Sequence, residues 1–137
     1  MPAAKILVIE DNLPDVEILR FALKEHGEPF ELEILNDGEA ALQFVREIES
    51  GVRAAEPCVI LLDLHLPKQD GLTVLDAIRE APALRDIKVM VLTGGGTSPK
   101  KQDEIVARGA VLRQKPADLS EFATLSREIL DLCSAPA

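Results

Sequence analysis

Three short runs of unbroken apolar residues, Ile6-Leu7-Val8-Ile9, Val59-Ile60-Leu61-Leu62 and Val89-Met90-Val91-Leu92, constrain this chain more than any other feature. Each is too short for most helices and rich in β-branched side chains. None shows the alternation that a strand with one wet face displays, so each predicts a strand covered on both sides. A fourth run, Glu31 to Leu35, alternates more and suits an edge, and Val111-Leu112 is a short fifth. Strands buried on both faces need helices above and below them, and helical patterns fill the intervals. They fall at 14–26, opened by Pro14 and stopped by Gly27, and at 38–49, capped by Asp37 and stopped by Gly51. Further patterns fall at 71–80, ending before Pro82, at 99–108, between Pro99 and Gly109, and at 118–133, opened by Asp118.

Five repeats of strand then helix predict a parallel sheet joined by right-handed crossovers. The expected fold is α/β: a flavodoxin-like (βα)5 three-layer sandwich with strand order 2-1-3-4-5. Ligands of such sheets lie outside the carboxyl ends of the strands, beside the switch point between the first and third. Ser50 to Pro57 is the longest expected loop. At 137 residues, with 47% hydrophobic and 28% charged content, residues 1–137 are expected to form a single domain with no output domain after it.

The formal charge of -9 excludes a basic nucleic-acid groove. That charge belongs to residues 1–70, which carry 6 Lys+Arg against 15 Asp+Glu, whereas residues 71–137 carry 9 of each. The apolar runs are strand-sized, so no membrane span is expected. Cys58 and Cys133 lack metal-ligand spacing and follow no signal peptide. The expectation is a cytoplasmic chain with two reduced thiols, Cys58 as a small core residue and Cys133 near the surface.

Polar residues stand immediately after the strands. Glu10 and Asp11 follow the first, Asp63 the third, Thr93 the fourth, and Lys115-Pro116 the fifth. Singly each has an ordinary structural explanation: Asp11 a helix cap, Asp63 a turn, Thr93 a loop, Lys115 a solvated charge. Placed together at four carboxyl ends they converge on one site. Three carboxylates in one place repel, and a cation makes the arrangement favourable. Mg2+ suits it, because that ion takes few carboxylates and shares its remaining positions with water and phosphate. No His/Cys set suited to zinc is present. Asp63 is then placed as a nucleophile toward phosphorus, with Lys115 stabilising charge, Thr93 donating its hydroxyl and Gly94 leaving room.

The residues Glu10-Asp11, the stretch from Leu62-Asp63 through Pro67-Lys68 to Asp70-Gly71, then Leu92-Thr93-Gly94 and Lys115-Pro116 resemble the bacterial response-regulator receiver family over nearly the whole chain. The runs Leu61 to Lys68 and Leu84 to Val89 also resemble the small receivers of bacterial phytochrome kinases. The resemblance implies a phosphoacceptor at Asp63, with Mg2+ held by Glu10, Asp11, Asp63 and the backbone carbonyl of His65. It implies phosphoryl contacts from Thr93 and Lys115, and a sensor histidine kinase, of the phytochrome kind by the subfamily resemblance, as partner. It also implies a switching aromatic three residues before Lys115, where this chain has Leu112, so a phosphorylation response is expected in the loop from Thr93 to Pro99. Two rival readings are a phosphatase of the dehalogenase type, which lacks its second acid because that position is His65, and a degenerate receiver acting as a binding module.

Three lesser expectations complete the reading. His26 suits the terminal carbonyls of the first helix. Gly94-Gly95-Gly96 lacks the remainder of a phosphate-loop motif and reads as a flexible loop. The last helix carries Phe122, Leu125, Ile129 and Leu132 on one stripe and Leu119, Ala123 and Leu130 on another, which predicts a homodimer through that helix.

Overall fold

The computed structural model describes residues 3–54 and 57–134. The expected loop from Ser50 to Pro57 includes positions 55 and 56, which lie outside the described residues. Five strands and five helices alternate: β1 (Ala4–Ile9), α1 (Leu13–Lys24), β2 (Phe30–Leu35), α2 (Gly38–Glu49), β3 (Val59–Asp63), α3 (Gly71–Glu80), β4 (Lys88–Thr93), α4 (Pro99–Ala107), β5 (Val111–Gln114) and α5 (Leu119–Ser134). The sheet is parallel, in the order β2-β1-β3-β4-β5, as the repeat predicts.

Every residue of β3 is buried, and side chains of the central strands leave the sheet alternately to two cores. Leu7, Ile9, Ile60, Leu62, Val89 and Val91 meet α2, α3 and Ile105 of α4. Ile6, Val8, Val59, Leu61, Met90 and Leu92 meet α1 and α5. This two-sided burial is why those runs are continuous rather than alternating. Each buried Leu, Ile or Val contributes about 1.5–3 kcal/mol. On β2, Glu31 and Glu33 are exposed between half-buried Phe30, Leu32 and Ile34, as the edge pattern requires.

Helix starts follow from side-chain caps. Asn12, not Asp11, caps α1, its side chain accepting from the Asp15 amide at 3.2 Å. Asp37 caps α2 and Ser98 caps α4. Asp118 accepts from the Glu121 amide at 2.8 Å while Glu121 accepts from the Ala117 amide, a reciprocal pair at the head of α5.

The amino ends of the strands are heavily tied. Arg79, in the last turn of α3, donates to the carbonyls of Arg85, Ile87, Arg108 and Gly109, joining the entries to β4 and β5. Arg108 pairs with Asp76, and Arg127 of α5 pairs with Glu28 ahead of β2. His26 lies past the end of α1 and departs from its expected role. Its Nε2 is 2.8 Å from the hydroxyl of buried Ser126. That hydroxyl donates to the Ala123 carbonyl, so Nε2 donates to it.

The cysteines correct a second expectation. Cys58 and Cys133 are joined in a disulfide across 75 positions, with Cα atoms 5.1 Å apart, rather than standing as two reduced thiols. Both are only half-buried. The length of α5 carries Cys133 back over the head of β3, a tertiary proximity that sequence spacing does not contain. In α5, Leu119 and Ala123 are exposed, but Leu130 is buried in the core shared with α1, so part of the apolar excess behind the dimer expectation is used internally. Among the described residues, no helix is long and apolar enough to cross a membrane.

Candidate functional site

Strand register brings the polar strand ends together. Ile9 pairs with Leu62, which places Glu10 beside Asp63. Asp63 pairs with Leu92, and Thr93 follows it. Thr93 pairs with Gln114, and the next residue, Lys115, donates its amide to the Thr93 carbonyl at 2.8 Å.

One carboxylate oxygen from each of Glu10, Asp11 and Asp63 lies within 4.8 Å of the others. Asp63 and Glu10 are 2% and 6% exposed, while Asp11 opens to solvent. The Lys115 ammonium stands 3.1 Å from both Asp63 Oδ2 and Glu10 Oε1. Glu10 Oε2 accepts from the Asp11 amide at 3.0 Å, and Asp63 Oδ1 accepts from the His65 amide at 3.0 Å, turning the chain after β3 back onto the acid. Thr93 is buried at the end of β4, and the His65 side chain is exposed.

The electrostatics are those of a site with too much negative charge for its one ammonium. Burial, and then the hydrogen bond and repulsion from Asp63, push the Glu10 carboxyl up to about 7 against the opposing pull of Lys115. Burial acts to lower the Lys115 pKa, but bonding to Asp63 and Glu10 outweighs it and the ammonium is held above its ordinary range. Three oxygen donors of this charge, open on the Asp11 side, fit a hard dication.

The segment after β3 is docked against α2. Gly38 donates its amide to the Pro67 carbonyl at 3.2 Å, and a Cβ at Gly38 would collide with Gln69. A Cβ at Gly71 would stand 2.6 Å from the Leu64 carbonyl oxygen. Lys68 takes a left-handed backbone, φ 72°, and its ammonium lies 3.4 Å from Asp37. Sequence reasoning missed this clamp, because Gly38 and Asp37 read only as a helix start. Across the site, a Cβ at Gly94, Gly95 or Gly96 would point into open space. Thr97 Oγ1 is buried without a hydrogen-bond partner. Leu112 pairs with Val91 on β5 and packs half-buried on the core that contains Ile105.

Residues 6–126 match the response regulator receiver domain family. The chain is 38% identical over 131 residues to response regulator Rcp1 of Synechocystis sp., spanning 96% of this chain and 82% of that one. It superimposes on the phosphorylated cyanobacterial phytochrome response regulator RcpA with a TM-score of 0.84 and 30% identity, covering 99% of this chain and 97% of that one. The Mn2+-bound form of Rcp1 matches with a TM-score of 0.79 and 31% identity over 92% and 91% of the two chains. The match across most of the chain, the strand order and the convergence of the polar strand ends lead to one conclusion: the chain belongs to the response regulator receiver domain family.

Proposed function

We propose that the chain, residues 1–137, is a single-domain response regulator whose Asp63 accepts a phosphoryl group from a sensor histidine kinase with the help of Mg2+. The observation that carries this reading is the cluster of Glu10, Asp11 and Asp63 within 4.8 Å, with the Lys115 ammonium 3.1 Å from the buried pair. The three carboxylates and the His65 backbone carbonyl are the groups assigned to the ion, which when bound neutralises their charge and that of the incoming phosphoryl group. Support for a divalent cation comes from the Mn2+-bound form of the relative Rcp1, and support for a phytochrome kinase from the phytochrome response regulator RcpA.

In the transfer, an Asp63 oxygen attacks phosphorus as the bond to the kinase histidine breaks, leaving an acyl phosphate on Asp63. Lys115 already contacts Asp63 and follows the developing charge. Thr93 offers its hydroxyl to a phosphoryl oxygen, and the open space at Gly94 admits the group. The protein then acts through contacts with other proteins. Self-association through α5 belongs to the same reading, resting now on exposed Leu119 and Ala123.

Incubation with acetyl phosphate and Mg2+, followed by intact mass, tests the assignment. One phosphate is expected, released by hydroxylamine or alkali as an acyl phosphate is, absent in chelator and absent in Asp63→Asn. An adduct that persists in chelator or in Asp63→Asn overturns the phosphoacceptor assignment, and no adduct on the native chain favours a degenerate receiver that serves as a binding module.

A further inference from the structure

The disulfide joins the residue that heads β3 to the last turn of α5, and its setting is not that of a sealed structural bridge. Cys58 and Cys133 are half-buried and line one surface cleft with Ala4, Glu28, Pro29 and Leu130. Cys58 is held to the sheet independently of its sulfur, donating its amide to the Lys5 carbonyl at 2.8 Å. Its Sγ lies 3.3 Å from that same carbonyl oxygen, an acceptor for the proton a free thiol carries. The site therefore accommodates Cys58 in either oxidation state.

On the helix side, the fully buried anchors of α5 end at Leu130, and Leu132 packs only partly on the same core. Ile129 and Leu130 are buried, Arg127 pairs with Glu28, and Ser126 meets His26. Beyond that point Asp131 and Ser134 are exposed, Leu132 is half-buried, and the Lys88 ammonium accompanies the Leu132 carbonyl at 3.1 Å. A terminal helical turn has carbonyls without intrahelical partners and frays unless something holds it.

We propose that the Cys58–Cys133 bond is a reversible redox latch on the end of α5, opened by a dithiol reductant that enters the cleft. A reductant thiolate attacks one sulfur, forming a mixed disulfide and releasing the other as a thiolate. The second reductant thiol resolves the mixed disulfide. Two electrons and two protons pass to Cys58 and Cys133, and the reductant leaves as a disulfide. Oxidised glutathione runs the exchange in reverse. The latch does not depend on the chemistry proposed for Asp63, which lies at the opposite end of β3.

The full chain, equilibrated in dithiothreitol and separately in oxidised glutathione, is read by thiol alkylation with intact mass and by hydrogen exchange. Expected are two alkylatable thiols in the first buffer and none in the second, loss of protection at 131–134 on reduction at labelling times too short for the core strands to exchange, and its recovery on reoxidation. Cys133→Ser should show one alkylatable thiol and the reduced exchange pattern without reductant, and native protein in the two buffers gives the same comparison if that variant folds poorly. The latch is refuted by a bond that resists excess dithiothreitol in native buffer, by thiols that never pair, by unchanged exchange at 131–134, or by sheet amides that exchange at those same short labelling times.

Discussion

The two ends of this sheet are built on opposite principles. At the amino ends, polar groups are matched and cross-linked: four carbonyls converge on Arg79, Arg127 answers Glu28, His26 answers Ser126, and a disulfide closes a 75-residue separation. At the carboxyl ends, two buried acids share one ammonium with a third acid beside them, Lys68 holds a left-handed backbone, and the Thr97 hydroxyl is buried without a partner among the described residues. One end supplies stability, and the other consumes it to keep like charges together. Substitutions at the first should weaken the fold, and well-chosen ones at the second should strengthen it.

The largest effect is expected from Cys133→Ser, which under oxidising conditions should lower the unfolding free energy by about 2–5 kcal/mol, as removal of a bridge closing a long loop does. Urea unfolding of native and variant protein measures it, and equal stabilities would remove the bridge from the account. Next comes Arg79→Met, which strands carbonyls that the guanidinium serves and should cost about 2 kcal/mol. Arg79→Lys should recover only part of that, because an ammonium lacks the planar fork.

Glu10→Gln should act in the opposite direction. Its folded pKa, about 7, lies above the ordinary value of 4.5, so between those pH values the folded state binds more protons than the unfolded one. Stability contributed by the protonated form is lost as pH rises through that window. In chelator, Glu10→Gln should gain on the order of 2 kcal/mol above pH 7 and nothing near pH 4. A pH series of unfolding midpoints decides this, and a variant less stable at every pH would show that Glu10 is structural. The smallest effect is Lys68→Asn. Asn tolerates the left-handed backbone that a lysine adopts at a cost, and the ion pair it gives up is exposed, so a gain of about 0.5–1 kcal/mol is expected in thermal unfolding.

The same contrast explains what the sequence reveals. The rim was legible because each apolar run ends in a polar residue, and a parallel sheet sends all those ends to one side: Glu10, Asp63, Thr93 and Lys115 needed only strand order to be brought together. The amino-end ties were not. Cys58 and Cys133, or His26 and Ser126, are 75 and 100 positions apart and lie on elements whose relative tilt decides their meeting. Leu130 misled for a related reason. A helical stripe shows that a side chain seeks cover, but not that α1 already supplies it.

Gly38 carries a mechanical consequence. Because Gln69 fills the place of its missing side chain and Pro67 takes its amide, the segment after Asp63 is locked to the head of α2. The site is therefore a vice with one fixed jaw. The looser jaw is the opposite side, where a Cβ at Gly94, Gly95 or Gly96 would meet nothing within 4 Å and the chain runs on through Pro99 into α4. The packing around the site is thus one-sided by construction, and Leu112 lies half-buried on the core that also holds Ile105 of α4.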